Sequence, residues 1–263
     1  MAEDSQDRSI RSYLDRIPED RAQNDSIGIA NFYKRKYADD KNVLGVGGER
    51  IVINDGENAV ALVYDGDKYI ALTTYYIQQI LHTLYPHNFP AFKAVYYSKE
   101  HDVNIEFRET ITYESDFNSN DPTILSLDTI INNLSSMGLA KLGGNGTFGG
   151  EYIYPHFKNS GLVTDSQSGK KYEVFLDAVK PFGIRMNTWD FQKLYESMKQ
   201  QNYPLHHIKT VLKASLRISE NSQEKLDLIN AHTPGEEMPP SNLTPNILNN
   251  EQINFIRSVI DAK

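Results

Sequence analysis

The sequence contains no cysteine and a single tryptophan among its 263 residues. The absence of cysteine excludes disulfides, thiolate zinc sites, iron–sulfur clusters and a cysteine nucleophile. No stretch approaches the roughly 18 apolar residues of a membrane-spanning helix, so no membrane span is predicted. Residues 1–23 are polar and rich in acidic side chains, which predicts that no cleavable signal peptide is present. We therefore expect a cytoplasmic protein, or a translocated effector that lacks such a signal.

Positive charge is scarce as well. The 27 Lys and Arg residues are outnumbered by 35 Asp and Glu residues, which gives a net charge of −8. General nucleic-acid binding requires a basic surface that neutralises phosphates, so it is not expected here. The signatures of zinc metalloproteases, α/β-hydrolases and P-loop nucleotidases (H-E-x-x-H, G-x-S-x-G and G-x-x-x-x-G-K-[ST]) do not occur. The hydrophobic content of 39% is nevertheless sufficient for a folded core.

The N-terminal half is rich in strand signals. Short segments that are apolar or alternate between apolar and polar residues, separated by turn dipeptides such as Asp55–Gly56, predict a run of short antiparallel strands. Apolar residues at helical spacing predict one helix over residues 73–84, between the third strand and the fourth. The predicted strands are residues 50–54, 58–64, 68–72, 92–97 and 103–109.

The C-terminal half is mostly helical by the same criteria. Two short strands, residues 161–164 and 172–176, form a predicted hairpin within it. The predicted helices are residues 124–137, 189–201, 205–219, 223–231 and 250–262. Four segments are expected: a charged helical extension (1–42), a β-rich lobe (43–115), a helical lobe with a central hairpin (116–231), and a linker with an amphipathic helix (232–263).

This order of elements resembles the two-lobed protein-kinase-like fold. The predicted class is α+β, with a small antiparallel sheet lobe that carries one helix and a mostly helical C-terminal lobe. In that family an Asn and an Asp at the ends of a short hairpin hold metal ions. Asn159 precedes the first hairpin strand and Asp177 follows the second. The resemblance implies that both bind Mg²⁺, which prefers hard oxygen ligands, and that Asp177 is catalytic. An ordinary turn role is the alternative, since Asn and Asp are common in turns.

The sequence departs from the family at its catalytic base. Tyr154 stands where the family has its catalytic Asp, five residues before Asn159. A tyrosine cannot act as a carboxylate base near neutral pH. His156 is the nearby side chain that titrates in a useful range, and we therefore consider it as a catalytic candidate. A loop histidine without a catalytic role is the alternative.

The phosphate-binding elements are also incomplete. The resemblance implies that Lys68, on the predicted third strand, holds the nucleotide phosphates, unless it is a solvated lysine at a strand end. The helix that follows offers only Gln78 and Gln79 where the family has an acidic partner for that lysine.

Glycines provide several candidate covers for the phosphates. Gly45, Gly47 and Gly48 match part of a G-x-G-x-x-G loop, whose backbone N–H groups approach phosphate closely. The Asp55–Gly56 turn competes for that role, and residues 143–150 form a further glycine-rich candidate. Basic residues around the last segment indicate a site for a phosphorylated ligand, or a solvated basic face: Lys141, Lys158, Lys170, Lys171, Lys180 and Arg185.

Three functions are therefore open at the level of sequence. The resemblance implies an atypical kinase-like, nucleotide-dependent phosphotransferase that uses Mg-ATP and acts on a protein substrate or partner. The second is a catalytically inactive pseudokinase that serves as a ligand-binding or protein-interaction module. The third abandons the resemblance and treats the chain as an α+β interaction protein, whose tyrosine-rich helix and C-terminal helix contact a partner.

Overall fold

The computed structural model describes residues 41–46, 50–54, 56–64, 68–98, 103–113, 123–139, 160–176, 185–231 and 246–262. The chain divides into two compact units. The first comprises residues up to Ala71 together with Phe92–Ile111, and the second comprises Leu72–Ala91 together with Thr112–Lys263. None of the helices in the described ranges has the length and apolar character that crossing a membrane requires.

The first unit is built on a five-stranded antiparallel sheet in the order β1-β2-β3-β5-β4. The helix α1 (Lys68–Leu84) connects β3 to β4 in sequence. The strands are β1 (Val43–Val46), β2 (Arg50–Asn54), β3 (Asn58–Tyr64), β4 (Phe92–Ser98) and β5 (Val103–Glu109). This arrangement confirms the α+β class and has the element order expected of the sheet lobe in a two-lobed kinase-like fold.

The register of the sheet separates an apolar face from a more polar one. Side chains paired across antiparallel strands share a face, and successive residues alternate between faces. The apolar face carries Ile51 and Ile53 of β2 opposite Leu62 and Val60 of β3, with Ile105 of β5 beyond them. All five side chains are buried. The opposite face of β5 carries Asn104, Glu106 and Arg108, and Asn104 and Glu106 are buried as well.

The predicted strand over residues 68–72 is wrong, because these residues begin α1. Tyr69, Ala71 and Thr73 are buried in alternation, as they would be in a strand. Helix formation is cooperative, however, so the helix that the strong helical spacing of later residues favours extends toward the N-terminus through these residues. The fifth strand of the sheet is instead β1, which forms where a glycine loop was expected. Its register shifts between Val43 and Gly45.

The second unit has a helical core with a separate two-stranded sheet. Its strands are β6 (Ser160–Thr164) and β7 (Lys171–Phe175), which confirms the predicted hairpin. Its helices are α1 beyond the first turn, α2 (Leu127–Ser136), α3 (Phe191–Gln200), α4 (Leu205–Asn230) and α5 (Asn250–Asp261), with a 3₁₀ turn at Met186–Thr188. Their apolar faces form one buried cluster that includes Phe89, Leu134 and Ile256.

Helix α4 is continuous where two helices were predicted. Of the three residues between the predicted helices, Asn221 and Ser222 are buried within α4, and Glu220 is exposed on its surface. The Nδ2 atom of Asn221 donates to the Oγ1 atom of Thr73 at 3.0 Å, and Ser219 Oγ accepts from the backbone N–H of Leu248 at 2.9 Å. Polar residues in a helix interior therefore mark contacts within this unit and not a chain reversal.

The C-terminal helix α5 is fixed at both ends by side chains. At its start, Asn249 and Gln252 form a reciprocal capping box. The Nε2 atom of Gln252 also donates to the carbonyl oxygen of Trp189 at 3.1 Å. At its end, the Nζ atom of Lys209 donates to the carbonyl oxygens of Ile260 and Ala262 at 2.8 and 2.6 Å, which satisfies groups that helix ends leave open.

Candidate functional site

The β6–β7 hairpin is closed at one end by a tight turn. The Oδ1 atom of Asp165 accepts from the backbone N–H groups of Gln167 and Ser168 at 2.8 and 2.7 Å. These hydrogen bonds stabilise the ionised carboxylate and lower the pKa of Asp165. The turn fixes the register of the two strands, and thereby determines which residues meet at the open end.

The two predicted metal ligands are next to the open end of the hairpin in sequence. Ser160 is paired with Phe175 across the two strands. Asn159 directly precedes Ser160 in the sequence, and Asp177 is the second residue after the end of β7. Both predicted ligands themselves lie outside the described residues. The described register nevertheless shows that the chain reaches both of them from the same end of the hairpin.

The hairpin is anchored by the loop that follows α1. Asn88 accepts from the backbone N–H of Phe175 through its carbonyl oxygen at 2.7 Å, and its Nδ2 atom donates to the carbonyl oxygen of Glu173 at 2.8 Å. The rings of Phe89 and Phe175 lie 5.4 Å apart. Since Phe175 is the partner of Ser160, these contacts hold the open end of the hairpin and not its turn.

A close approach on the other strand adds to this support. A Cβ atom on Gly161 would lie 2.5 Å from the Cγ atom of Tyr113. Separations under 3.0 Å are not tolerated without movement, so a side chain at this position would displace the tyrosine ring. Tyr113 therefore packs directly over the residue that follows Ser160.

A carboxylate that the sequence analysis missed lies on the same hairpin. Glu173 on β7 is half-buried, and burial raises the pKa of its carboxyl group, while a hydrogen bond with the Ser160 side chain partly opposes that effect. In the sequence it is one charged residue in an alternating strand, which is typical of a solvent-exposed position. Only the packing of the hairpin shows that its charged form is disfavoured.

We expect Glu173→Gln to flatten the pH dependence of stability. A raised carboxyl pKa means that the folded state binds more protons than the unfolded state between the ordinary pKa and the raised one. The wild type should therefore lose stability as pH rises through that window, and the amide should not. Urea unfolding of both proteins at several pH values between 4 and 7 measures this. Glu196→Gln, which neutralises an exposed carboxylate on α3, is the control. An identical pH profile for wild type and Glu173→Gln would contradict the assignment.

The phosphate-binding candidates are distributed differently from the prediction. Lys68 is the first residue of α1 rather than part of the third strand, and β3 contains no lysine. Gly45 lies in β1, opposite Val52 of β2. Gly47 and Gly48 lie outside the described residues, as do His156, Tyr154 and the segment 143–150.

The two glutamines of α1 have structural partners. The Nε2 atom of Gln78, which is buried, donates to the carbonyl oxygen of Pro90 at 2.8 Å. The Nε2 atom of Gln79 donates to the hydroxyl of Tyr75 at 2.9 Å. Both amide groups therefore stabilise the helix and the turn that follows it. Within the described ranges, no group of three or more His, Asp or Glu side chains is arranged to hold a metal ion.

The sequence and the fold were compared with those of known proteins. No family model matches the sequence, and no curated protein matches it. Among solved structures, the chain is similar to the proinflammatory kinase CtkA of Helicobacter pylori, at 12% identity and a TM-score of 0.32. The match covers 84% of this chain and 91% of that one. A likeness this distant gives no residue correspondence between the two chains.

Proposed function

We propose that the chain is an atypical kinase-like phosphotransferase that binds a nucleotide with Mg²⁺. The observation that carries this proposal is the β6–β7 hairpin. Ser160 and Phe175 are paired at the open end of the hairpin, and Asn159 and Asp177 lie just beyond this pair in sequence. The five-stranded antiparallel sheet, with one helix between its third and fourth strands, supports the proposal through element order.

The chemistry of the two side chains fits a magnesium ion. An Asn amide oxygen and an Asp carboxylate are hard oxygen ligands, and Mg²⁺ is commonly held by one or two protein groups, with waters and substrate phosphates as its other ligands. When bound, the ion would neutralise charge on the phosphate oxygens during transfer. The hairpin's own contribution is rigidity, since Asn88 and Phe89 fix the strand that leads to Asp177.

A binding module without catalysis is the second candidate. Tyr154 stands in place of the catalytic Asp, and β3 carries no lysine that could hold the nucleotide phosphates. Such a pseudokinase would bind the nucleotide, or a phosphorylated ligand, without transferring phosphate. A module that binds a nucleotide with Mg²⁺ would share the proposed metal site with the enzyme and would differ from it in transferring no phosphate.

Thermal unfolding with and without ATP and Mg²⁺ tests the shared site. A ligand at about 100 times its Kd should stabilise the fold by about 2.7 kcal/mol, which corresponds to a rise in Tm of about 5–10 °C. We expect Asp177→Asn to weaken this rise, and Asp177→Ala to abolish it. Asp165→Asn is the matched control, because it neutralises a carboxylate at the other end of the same hairpin while retaining an acceptor for the turn.

The outcomes separate the candidate functions. A magnesium-dependent rise that Asp177→Ala lacks and Asp165→Asn retains supports the metal site. Transfer of labelled γ-phosphate by the wild type then identifies the enzyme, whereas binding without transfer identifies the pseudokinase. The absence of any rise with ATP or other nucleotides would contradict the enzyme, and would leave either a binding module whose ligand is not a nucleotide or the interaction protein.

A further inference from the structure

Three histidines lie where the end of α1 meets the start of α4. His82 is in the last turn of α1, and His206 and His207 are in the first turn of α4. The imidazole rings of His206 and His207 lie edge to face, with 4.3 Å between their centroids. The hydroxyl of Tyr203, which precedes α4, donates to the carbonyl oxygen of Leu84 at 2.9 Å and so joins the two helix ends. The junction lies entirely within the second unit.

His82 connects this junction to the loop that anchors the β6–β7 hairpin. A carbonyl oxygen only accepts hydrogen bonds, so the Nδ1 atom of His82 carries the hydrogen and donates to the carbonyl oxygen of Phe89 at 2.7 Å. Asn88 and Phe89 in turn hold the open end of the hairpin, because both contact Phe175. A movement of His82 is therefore transmitted to the hairpin through this loop.

The surroundings of His207 disfavour a positive charge on its ring. Burial of the ring and the neighbouring His206 and His82 lower the pKa of His207, with burial as the largest cause. The N-terminal end of the α4 macrodipole also repels a cation, and the first turn of α4 contains no acidic residue that would offset it. His82 differs in this respect, because the C-terminal end of α1 favours a cation.

The other charged and titratable groups of these elements act elsewhere or stay neutral. On α4, the Nζ atom of Lys209 donates to carbonyl oxygens at the end of α5. On α3, the Lys199 ammonium lies 5.2 Å from the ring centroid of Tyr195. Burial raises the pKa of Tyr85 to about 12 and also raises the pKa of Tyr203, so both hydroxyls stay neutral where histidines titrate. Among the described residues, the groups whose charge acts on His207 are therefore the other two histidines.

We propose that His82, His206 and His207 form an acid-sensitive latch between the end of α1 and the start of α4. Above about pH 7 the three rings are neutral and the two helix ends pack together. When the pH falls toward about 5, the rings bind protons and repel one another across the junction. The helix ends then separate, and the Asn88–Phe89 loop loosens the open end of the hairpin. This latch goes beyond the proposed function and does not depend on it, because no nucleotide takes part.

The direction of the effect follows from the lowered pKa of His207. An opened or unfolded state, in which the ring has an ordinary pKa near 6.5, binds more protons than the closed state between that value and the lowered one. The closed junction therefore loses stability as the pH falls through this window. Glu173 acts on the stability of the fold in the opposite direction, so a local measurement separates the latch from global unfolding.

Amide hydrogen exchange of the full chain tests the latch at about pH 7.5 and about pH 5.5, on either side of the ordinary histidine pKa. The reporters are the backbone N–H groups of Phe89 and Ile208, which donate to carbonyl oxygens at 3.1 and 3.2 Å. Once intrinsic exchange rates are divided out, their protection factors should fall about 2- to 10-fold at the lower pH, the combined effect of like charges and of a cation at a helix start. The N–H of Leu194 in α3, which donates at 2.9 Å, is the reference and should keep its protection.

Three variants assign the fall to the latch. His207→Gln keeps a polar side chain that does not titrate, so it should lose most of the fall. His82→Asn keeps an amide N–H for the carbonyl oxygen of Phe89 and should show an intermediate fall, which keeps the proposal testable even if His207→Gln does not fold. His87→Gln is the matched control, because His87 is an exposed histidine of the anchoring loop whose ring stacks on Tyr172 at 4.5 Å. It should show the same fall as the wild type.

A fall at Phe89 and Ile208 that spares Leu194, disappears in His207→Gln and persists in His87→Gln supports the latch. Constant protection in the wild type would overturn it, as would a fall of the same size in His207→Gln. An equal fall at Leu194 would show a general loss of stability in acid, and would also overturn it. None of these measurements includes a nucleotide, so failure of the latch and failure of the proposed function are distinguishable.

Discussion

Phe89→Ala should lower the free energy of unfolding by about 3–5 kcal/mol, the range found when a buried phenylalanine is deleted. The Phe89 side chain is fully buried, and its ring packs against Phe175 at the open end of the hairpin. The loop that carries it cannot collapse freely to fill the cavity. Its neighbour Asn88 is tied to both Glu173 and Phe175 by hydrogen bonds. Urea unfolding gives the magnitude directly.

The same variant should weaken nucleotide binding more than its loss of stability explains. Phe175 is the partner of Ser160, so a cavity beside it loosens the strand ends that lead to Asn159 and Asp177. Ile256→Ala is the control, since it deletes an equally buried side chain from α5 and should cost about 2–5 kcal/mol. ATP affinity is compared for both variants at a temperature where each is folded. Equal ATP affinities of the two variants would contradict a role for Phe89 in holding the end of the hairpin for which we propose a metal site.

The sequence was sufficient for the hairpin because its signals are local. Two apolar runs flank a turn in which Asp165 accepts backbone hydrogen bonds. Turns of this kind can be predicted from the sequence, because Asp, Ser and Gly favour them through local interactions. The start of helix α1 at Lys68 could not be predicted in this way. A five-residue alternation from Lys68 fits a strand and the first turns of a helix equally well, and the long helix that follows decides between them.

The burial of Asn104 and Glu106 on β5 could not be predicted from the local sequence pattern. The alternation of Asn104, Ile105, Glu106, Phe107 and Arg108 is what a strand with one solvated face shows. Burial of both faces is a property of the folded unit, and only the folded unit shows that Glu106 and its ion pair with Arg108 are removed from solvent. The residues at the open end of the hairpin, by contrast, could be named from the sequence. The metal-binding roles of Asn159 and Asp177 are implied by the resemblance to the kinase-like fold, and they remain predictions that the Asp177 variants test.

The kinase-like order of elements does not by itself specify catalysis. Folds host many functions, and function depends on particular side chains. β3 contains no lysine, and Tyr154 stands at the position to which the resemblance assigns a carboxylate base. The element order therefore leaves catalysis to be decided by the phosphate-transfer experiment.

Among the glycines that the structure describes, Gly138 should be the one whose exchange for alanine is most destabilising, because two independent costs meet there. Gly138 follows α2 with φ of +103°, in the left-handed region that favours glycine. A Cβ atom would also lie 2.6 Å from the carbonyl oxygen of Asp190, whose backbone N–H donates to the Gly138 carbonyl at 2.9 Å. Asp190 in turn caps α3 by accepting from the backbone N–H of Lys193 at 2.9 Å. The backbone cost is about 1–3 kcal/mol, and overpacking adds about 1–3 kcal/mol.

Gly56→Ala separates these two costs, because it shares the backbone conformation and lacks the crowding. Its φ is +99°, and a Cβ atom there would meet nothing within 4 Å. The loss of unfolding free energy in Gly56→Ala therefore measures the backbone cost, and the excess in Gly138→Ala measures the forced separation of α2 from the start of α3. Equal losses in the two variants would show that the chain relaxes around the new methyl group, and that the junction between these helices is looser than the contact with Asp190 implies.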